Sequence, residues 1–197
     1  PMNLIVLTAP SGAGKTTIAR RLMAEVPGLV FSVSATTRPA REGEVDDVHY
    51  HFLTLGAFAE RLAAGDFLEH EEVYPGRYYG TLRPELEALA ARPDVAAVIL
   101  DIDVKGAVNV KRLYGDHALT LFVAPPSLAA LEDRLYSRGT ETEAQVAMRL
   151  ERAQMEMDYA PQFDTVVVND DLDTAVEETV AAVRAFLESR EQREQEG

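Results

Sequence analysis

LIVLTAPSGAGKTT, residues 4–17, sets the reading of the whole chain. Leu4–Leu7 is a short apolar run of the kind buried in a parallel sheet, and a helical pattern runs from Thr16 to about Ala24 before Pro27 and Gly28 end it. Between strand and helix, Ala9–Thr17 matches the phosphate-loop pattern through Gly14-Lys15-Thr16, with Ala9 where that pattern has its first glycine. Successive backbone N–H groups in such a loop must face one concavity, and a bulky side chain would block the phosphates. Lys15 adds a positive charge near the β and γ phosphates, and Thr16 offers a hydroxyl to Mg2+. The candidate triphosphate site is therefore Ala9, Pro10, Ser11, Gly12, Ala13, Gly14, Lys15, Thr16 and Thr17. Alanine fits position 9 provided its φ is negative. The alternative is a glycine-rich turn that only joins strand to helix; Gly-Lys-Thr in register between the two argues against it.

Working outward, short β-branched and aromatic segments follow: FSVSAT from Phe31, HYHFL from His49, FLEHEEVY from Phe67 and RYYGTL from Arg77. A helical pattern at Leu55–Ala64 lies between two of them, so this stretch reads as a small, mostly antiparallel sheet. Helix and buried strand then alternate again. Pro84–Ala91, Val104–Leu113 and Ser127–Arg138 read as helices, Val95–Leu100 and Ala118–Val123 as strands. A long helix opens on the capping-box pattern Thr142-x-x-Gln145 and stops before Pro161. Phe163–Val168 is a last strand and Leu172–Ser189 a last helix. The fold class is α/β, a parallel sheet core with a β-rich insertion and a helical insertion. Ligands in such folds sit beyond the carboxyl ends of the strands.

The 197 residues are 47% hydrophobic and 26% charged, enough for one domain with a real core. No cysteine is present, which excludes disulfides and thiolate chemistry and fits a reducing cytoplasm. No apolar run reaches the roughly 18 residues of a membrane helix, and LIVL leads into a glycine loop rather than a signal peptide. The formal net charge of −14 argues against nucleic acid and anionic membranes as partners but leaves small phosphates open. The four histidines, 49, 51, 70 and 117, lack metal-site spacing and read as surface or packing residues.

Asp101 ends the strand Val95–Leu100, where a carboxylate could reach the metal of a bound nucleotide. Taken alone it would be a turn or cap residue. Ser34–Phe52 supplies Arg38, Arg41 and Tyr50 within a short span. Two guanidiniums and a phenol suit a phosphate monoester, since the planar fork of Arg matches phosphate oxygens. The acidic surroundings make paired salt bridges the rival reading.

SVSATTRPAREGEVDDVHYHF from Val33's neighbour Ser32 onward resembles the GMP-binding segment of guanylate kinases. EVYPGRYYGT (Glu72–Thr81), ILDIDVKGA (Ile99–Ala107), RLYSRGTETE (Arg134–Glu143) and VVVNDDLD (Val166–Asp173) resemble later blocks of that family, in the same order and over nearly the whole chain. The resemblance implies a P-loop nucleoside monophosphate kinase fold. Its core is expected at 1–33, 83–125 and 161–190, with a GMP-binding region at 34–82, a lid at 126–160 and a disordered tail at 191–197. It implies reversible Mg2+-dependent transfer from ATP to GMP. Ser34, Glu69, Thr81 and Asp103 would face the guanine, and Arg38, Arg41, Tyr50 and Tyr79 would hold the GMP phosphate. The chain is one residue longer than some relatives around Tyr74-Pro75-Gly76, which leaves Tyr78 as the alternative to Tyr79. The family's tryptophan after the acidic base reader is His70 here, a packing change.

Arg134, Arg138 and Arg149 become lid arginines, and with Lys15, Arg38 and Arg41 they are the candidate catalytic side chains. Thr16 and Asp101 are the candidate metal residues, and Asn169 is placed at the ATP side. The chemistry agrees. Guanine carries donors at N1 and N2, which two carboxylates can accept, and an acceptor at O6 for a hydroxyl of Ser34 or Thr81. Adenine would leave one carboxylate facing a lone pair, at about 1–3 kcal/mol or more. Lid arginines could instead solvate helix surfaces or pair with Glu143 or Glu151. The rivals are an inactive guanylate-kinase-like protein-binding module, expected to lose Gly-Lys-Thr or the lid arginines, and a kinase of another small phosphate ester, expected to lack the paired carboxylates. ATP and GMP are the expected partners, with the chain soluble as a monomer or homodimer.

Overall fold

Residues 2–137, 139 and 142–195 are described by the computed structural model. Their order is β1 (Leu4–Thr8), α1 (Lys15–Glu25), β2 (Leu29–Phe31), β3 (Ala35–Thr36), β4 (His51–Phe52), α2 (Leu55–Ala63), β5 (Phe67–Tyr74), β6 (Arg77–Leu82) and α3 (Arg83–Ala90). Then come β7 (Ala97–Asp101), α4 (Val104–Tyr114), β8 (Ala118–Ala124), α5 (Leu128–Ser137), α6 (Glu143–Met157), β9 (Thr165–Val168) and α7 (Leu172–Gln195). Every residue of β1 and β8 is buried, which is why both read as continuous apolar runs rather than alternating ones. Among the described residues no helix is long and apolar enough to cross a membrane.

The chain divides into two compact units. One comprises Pro1–Ile5 with Gly28–Ala118. In it β2 pairs in parallel with β7, Leu29 opposite Ala97. A second, four-stranded sheet runs in the order β4-β3-β6-β5, with β3 parallel to β4 and antiparallel to β6. The β5–β6 hairpin turns at Gly76, whose φ of 73° suits glycine, and its register shifts between Glu72 and Tyr74. Beneath the sheet, Ala35, Phe58, Phe67 and Leu82 form an apolar cluster, and Phe58 stacks on Phe67 at 4.4 Å. Burying each of these rings stabilises by about 1.5–3 kcal/mol. The α2 helix that supplies Phe58 starts where Thr54 accepts the Ala57 N–H at 3.1 Å.

The other unit comprises Val6–Pro27 with Leu119–Gly197. Here β8 and β9 run parallel, from Leu121 opposite Thr165 to Ala124 opposite Val168. Leu131 and Leu135 of α5 pack with Val146 and Ala153 of α6. The α6 helix opens with the expected capping box, Thr142 and Gln145 each bonded to the other's backbone. Arg21 of α1 pairs with Asp173 of α7, and Arg184 donates to the Glu25 carbonyl at 3.1 Å. Where charge argued for a frayed tail from 191, α7 continues to Gln195. Its final turns are Glu, Gln and Arg, all good helix formers that lose little rotamer freedom there.

Candidate functional site

In the second unit the loop between β1 and α1 takes its shape from two glycines in the left-handed region, Gly12 at φ 93° and Gly14 at φ 96°. Ala9 is not among the positive-φ residues, so the alanine fits where the motif has glycine. Ala13 N–H closes a turn onto the Pro10 carbonyl at 3.1 Å. The α1 helix begins at Lys15 with neither a side-chain cap nor an acidic residue in its first turn. By contrast Thr54, Asp103 and Thr142 cap α2, α4 and α6. An uncapped helix start of this kind, at the positive end of the helix dipole, suits an anion. Thr16 lies exposed in this first turn with Thr17 beside it.

Three of the remaining candidates gather around this loop. The Asn169 side chain, buried, donates to the Ala13 carbonyl at 2.7 Å. A Cβ on Gly14 would lie 2.3 Å from that amide nitrogen, so only glycine admits the brace. Arg134 donates to the Asn169 carbonyl at 2.8 Å, and Arg149 of α6 donates to the Ser11 hydroxyl. Leu131 and Leu135 close in on Gly12, where a Cβ would meet both at 3.2 Å and they would have to give way. Arg138 lies outside the described residues.

In the first unit, Arg38, Tyr50 and Tyr79 come together. The buried Arg38 guanidinium lies 5.2 Å from the Tyr50 ring centre, and Tyr50 meets Tyr79 edge-on at 5.9 Å. Tyr78 points the other way, onto Phe58 at 5.6 Å and the apolar cluster. Strand alternation therefore aligns Tyr79, not Tyr78, with the arginine. Arg41 is exposed, three residues along.

Sequence reading missed Glu44. Its carboxylate grips Arg38 with two bonds of 2.8 Å and also accepts the Arg41 N–H at 2.6 Å. Arg38 is thus ion-paired, while the same guanidinium lies 5.2 Å from the Tyr50 ring centre and 5.7 Å from that of Phe52. Bonding to Arg38, then to the Arg41 amide, holds the Glu44 carboxyl at about 2, and Glu44 raises Arg38 in turn. The signal was an acid three residues after Arg41. Tyr50 is raised, chiefly by burial and then by the charge of Asp101.

The two candidate base readers stand at one end of α4. Asp103 caps it, accepting the Gly106 N–H at 2.8 Å, and Glu69 of β5 is buried above. A Cβ on Gly106 would lie 2.6 Å from Glu69 Oε2 and 3.1 Å from Asp103 Oδ1. Thr81 Oγ donates to Glu69 Oε1 at 2.6 Å. Its hydrogen therefore goes to the carboxylate. Burial, with the neighbouring Asp103 charge adding to it and Thr81 opposing, pushes Glu69 up to about 7. Asp101 ends β7 half-buried.

Residues 1–188 match the family model for guanylate kinase. The guanylate kinase of Salinibacter ruber is 59% identical over 187 residues, which cover 95% of this chain and 98% of that protein. That of Chlorobium luteolum is 49% identical over 189 residues, 95% of this chain and 94% of that protein. Among solved structures, guanylate kinase from Anaplasma phagocytophilum matches with a TM-score of 0.71 at 30% identity, over 96% of this chain and 86% of that chain.

Proposed function

This chain belongs to the guanylate kinase family, and from that premise we propose how its residues divide the work of ATP:GMP phosphotransfer. The reaction moves the ATP γ-phosphoryl group to the GMP phosphate, giving ADP and GDP. Little covalent chemistry falls to the protein in such a transfer, so positioning and charge stabilisation carry it.

The uncapped start of α1 and the loop Ala9–Thr17 grip the triphosphate, with Lys15 on its outer phosphates. Asn169 and Arg134 keep that loop in shape, and Arg149, beside Ser11, would meet the charge that develops on the migrating group. Arg138 has the same assignment from the family. Arg38, Arg41, Tyr50 and Tyr79 hold the GMP phosphate, with Glu44 fixing the orientation of the Arg38 fork. Ser34, Glu69, Thr81 and Asp103 read the base. Thr16 and Asp101 offer a hydroxyl and a half-buried carboxylate, the hard oxygen donors that suit Mg2+. When bound, Mg2+ would supply charge neutralisation on the phosphates. A chain without cysteine suits the reducing cytoplasm.

The observation that supports the acceptor best is the buried Glu69 carboxylate bonded to Thr81 above the Asp103-capped end of α4. A buried acid poised near neutrality, beside a second carboxylate at the start of α4, suits donors of a purine. A nucleotide panel tests it: Mg-ATP against GMP, AMP, UMP, CMP and ribose phosphates. GMP should exceed AMP in kcat/KM by about a hundredfold or more. Equal use of AMP would overturn the base-reading assignment.

A further inference from the structure

Among the described residues β4 is only two residues long and lies at the edge of its sheet, yet it carries Tyr50 at its entrance. So short a ladder cannot fix itself. His51 supplies the missing grip. Its Nδ1 is 2.7 Å from Asp47 Oδ1 and its Nε2 is 2.5 Å from Glu85 Oε2. Each ring nitrogen thus faces a carboxylate oxygen, an acceptor when ionised, an arrangement that suits an imidazolium donating from both nitrogens. The second Glu85 oxygen accepts the Val33 N–H at 2.6 Å and lies 3.3 Å from the Ser32 hydroxyl. The His51 N–H donates to the Ser34 carbonyl at 2.9 Å. Ser34 is thus pinned through the amide before it and through its own carbonyl, both by way of His51 and its partner.

Alternation along the strand does the rest. With the His51 side chain held on one face, Tyr50 is turned to the other, against Arg38 and Tyr79. Asp47, the remaining end of the bridge, has φ 61° and donates its N–H to the Tyr50 carbonyl at 2.9 Å. This left-handed turn is uncommon for a residue other than glycine and needs support from its surroundings.

We propose that His51 is a positioning residue for the acceptor nucleotide: as an imidazolium joining Asp47 to Glu85 it fixes Ser34 and Tyr50, and GMP binding weakens when that bridge loses its proton. The inference rests on the reading above that Ser34 and Tyr50 contact GMP. A cleft of about 490 Å3 lined by Val33, Asp46, Asp47, His51, Arg61 and Glu85 brings solvent to the ring. The charged groups around it are therefore three carboxylates and Arg61, which itself lies 3.7 Å from Asp66. Burial pulls the His51 pKa down, but bonds to Glu85 and Asp47 outweigh it and the net direction is upward. The bridge is consequently intact below about 6.5 and is lost as pH rises through the higher folded value.

KM for GMP and for ATP, and kcat, are to be measured for the wild type, His51→Gln and Glu85→Gln from about pH 6 to about pH 9. At the acid end each variant should show a KM for GMP about tenfold above wild type, with kcat and KM for ATP within about twofold. The ratio to wild type should shrink towards one as pH rises, because the wild type loses its bridge there. A ratio constant with pH would mean a merely structural role, and unchanged KM values would mean none; either result overturns the proposal. Glu69 and the GMP phosphate also titrate, but they do so in every variant and cancel from the ratio. Ser34→Ala and Tyr50→Phe separate the two levels of inference. If these leave KM for GMP unchanged, the acceptor site itself is misassigned; if they raise it while His51→Gln does not, only the bridge fails. In the wild type, saturating GMP should raise the His51 pKa by about one unit in an NMR titration, the reciprocal of a tenfold effect. No movement would likewise overturn the proposal, whatever the variants' folding.

Discussion

Glu69 places binding and stability in conflict. Its pKa of about 7 against an ordinary 4.5 means the folded state holds this proton more tightly than the unfolded chain does. Stability from this residue is therefore greatest at low pH and falls as pH rises from about 4.5 to about 7. Above that range the buried charge costs up to about 3 kcal/mol. Glu69→Gln should accordingly raise the melting temperature of the ligand-free protein at pH 8, with no gain at pH 4.5. The same change should raise KM for GMP by about a hundredfold while sparing ATP, because a guanine donor then faces an amide. A melting temperature unchanged at pH 8 would remove the burial penalty; an unchanged KM would remove the base-reading role. Glu69, Arg38 and Tyr50 were candidates in the sequence through the family resemblance, the last two within the block Ser32–Phe52. Glu44 and His51 were not, since a lone acid or histidine in a polar stretch has no periodicity to betray its partner. Tyr79 could be told from Tyr78 only once β6 had a known pleat, with Phe58 claiming one face.

At the scale of elements, the start of α4 is where helix and strand share space. Replacing a helical glycine by alanine ordinarily stabilises by about 1 kcal/mol. At Gly106 the new methyl would stand 2.6 Å from Glu69 Oε2, so β5 or the carboxylate must yield. Gly106→Ala should fold, lose about tenfold or more in kcat/KM for GMP, and keep its affinity for ATP. Normal GMP kinetics in this variant would show that the carboxylate relaxes freely. The sequence placed most elements within two residues, since their apolar runs and caps are local signals: Thr142-x-x-Gln145 marked α6, and β5 and β6 matched their limits. Local signals failed where burial did not decide, at the end of α7, whose charged turns remain helical. They also could not show that Asn169 serves the loop at Ala13, a contact across 156 positions.

For the whole molecule, a net charge of −14 coexists with a task that needs two polyanions, so cations must be concentrated where they act. Removing Mg2+ with a chelator should abolish transfer while leaving GMP binding by the Arg38–Tyr50–Tyr79 group measurable by calorimetry. Retained turnover in chelator would contradict the Thr16 and Asp101 assignment. The half-protonated state of Glu69 adds a further outcome. A purine that donates to this carboxylate selects the ionised form, so near neutrality each GMP taken up expels part of a proton into the medium. The heat of binding at pH 7 should then vary with the ionisation enthalpy of the buffer, and the slope gives the net proton exchange of Glu69, His51 and the GMP phosphate together. Glu69→Gln should shift that slope towards proton uptake, and the difference from wild type isolates the share of a single buried carboxyl.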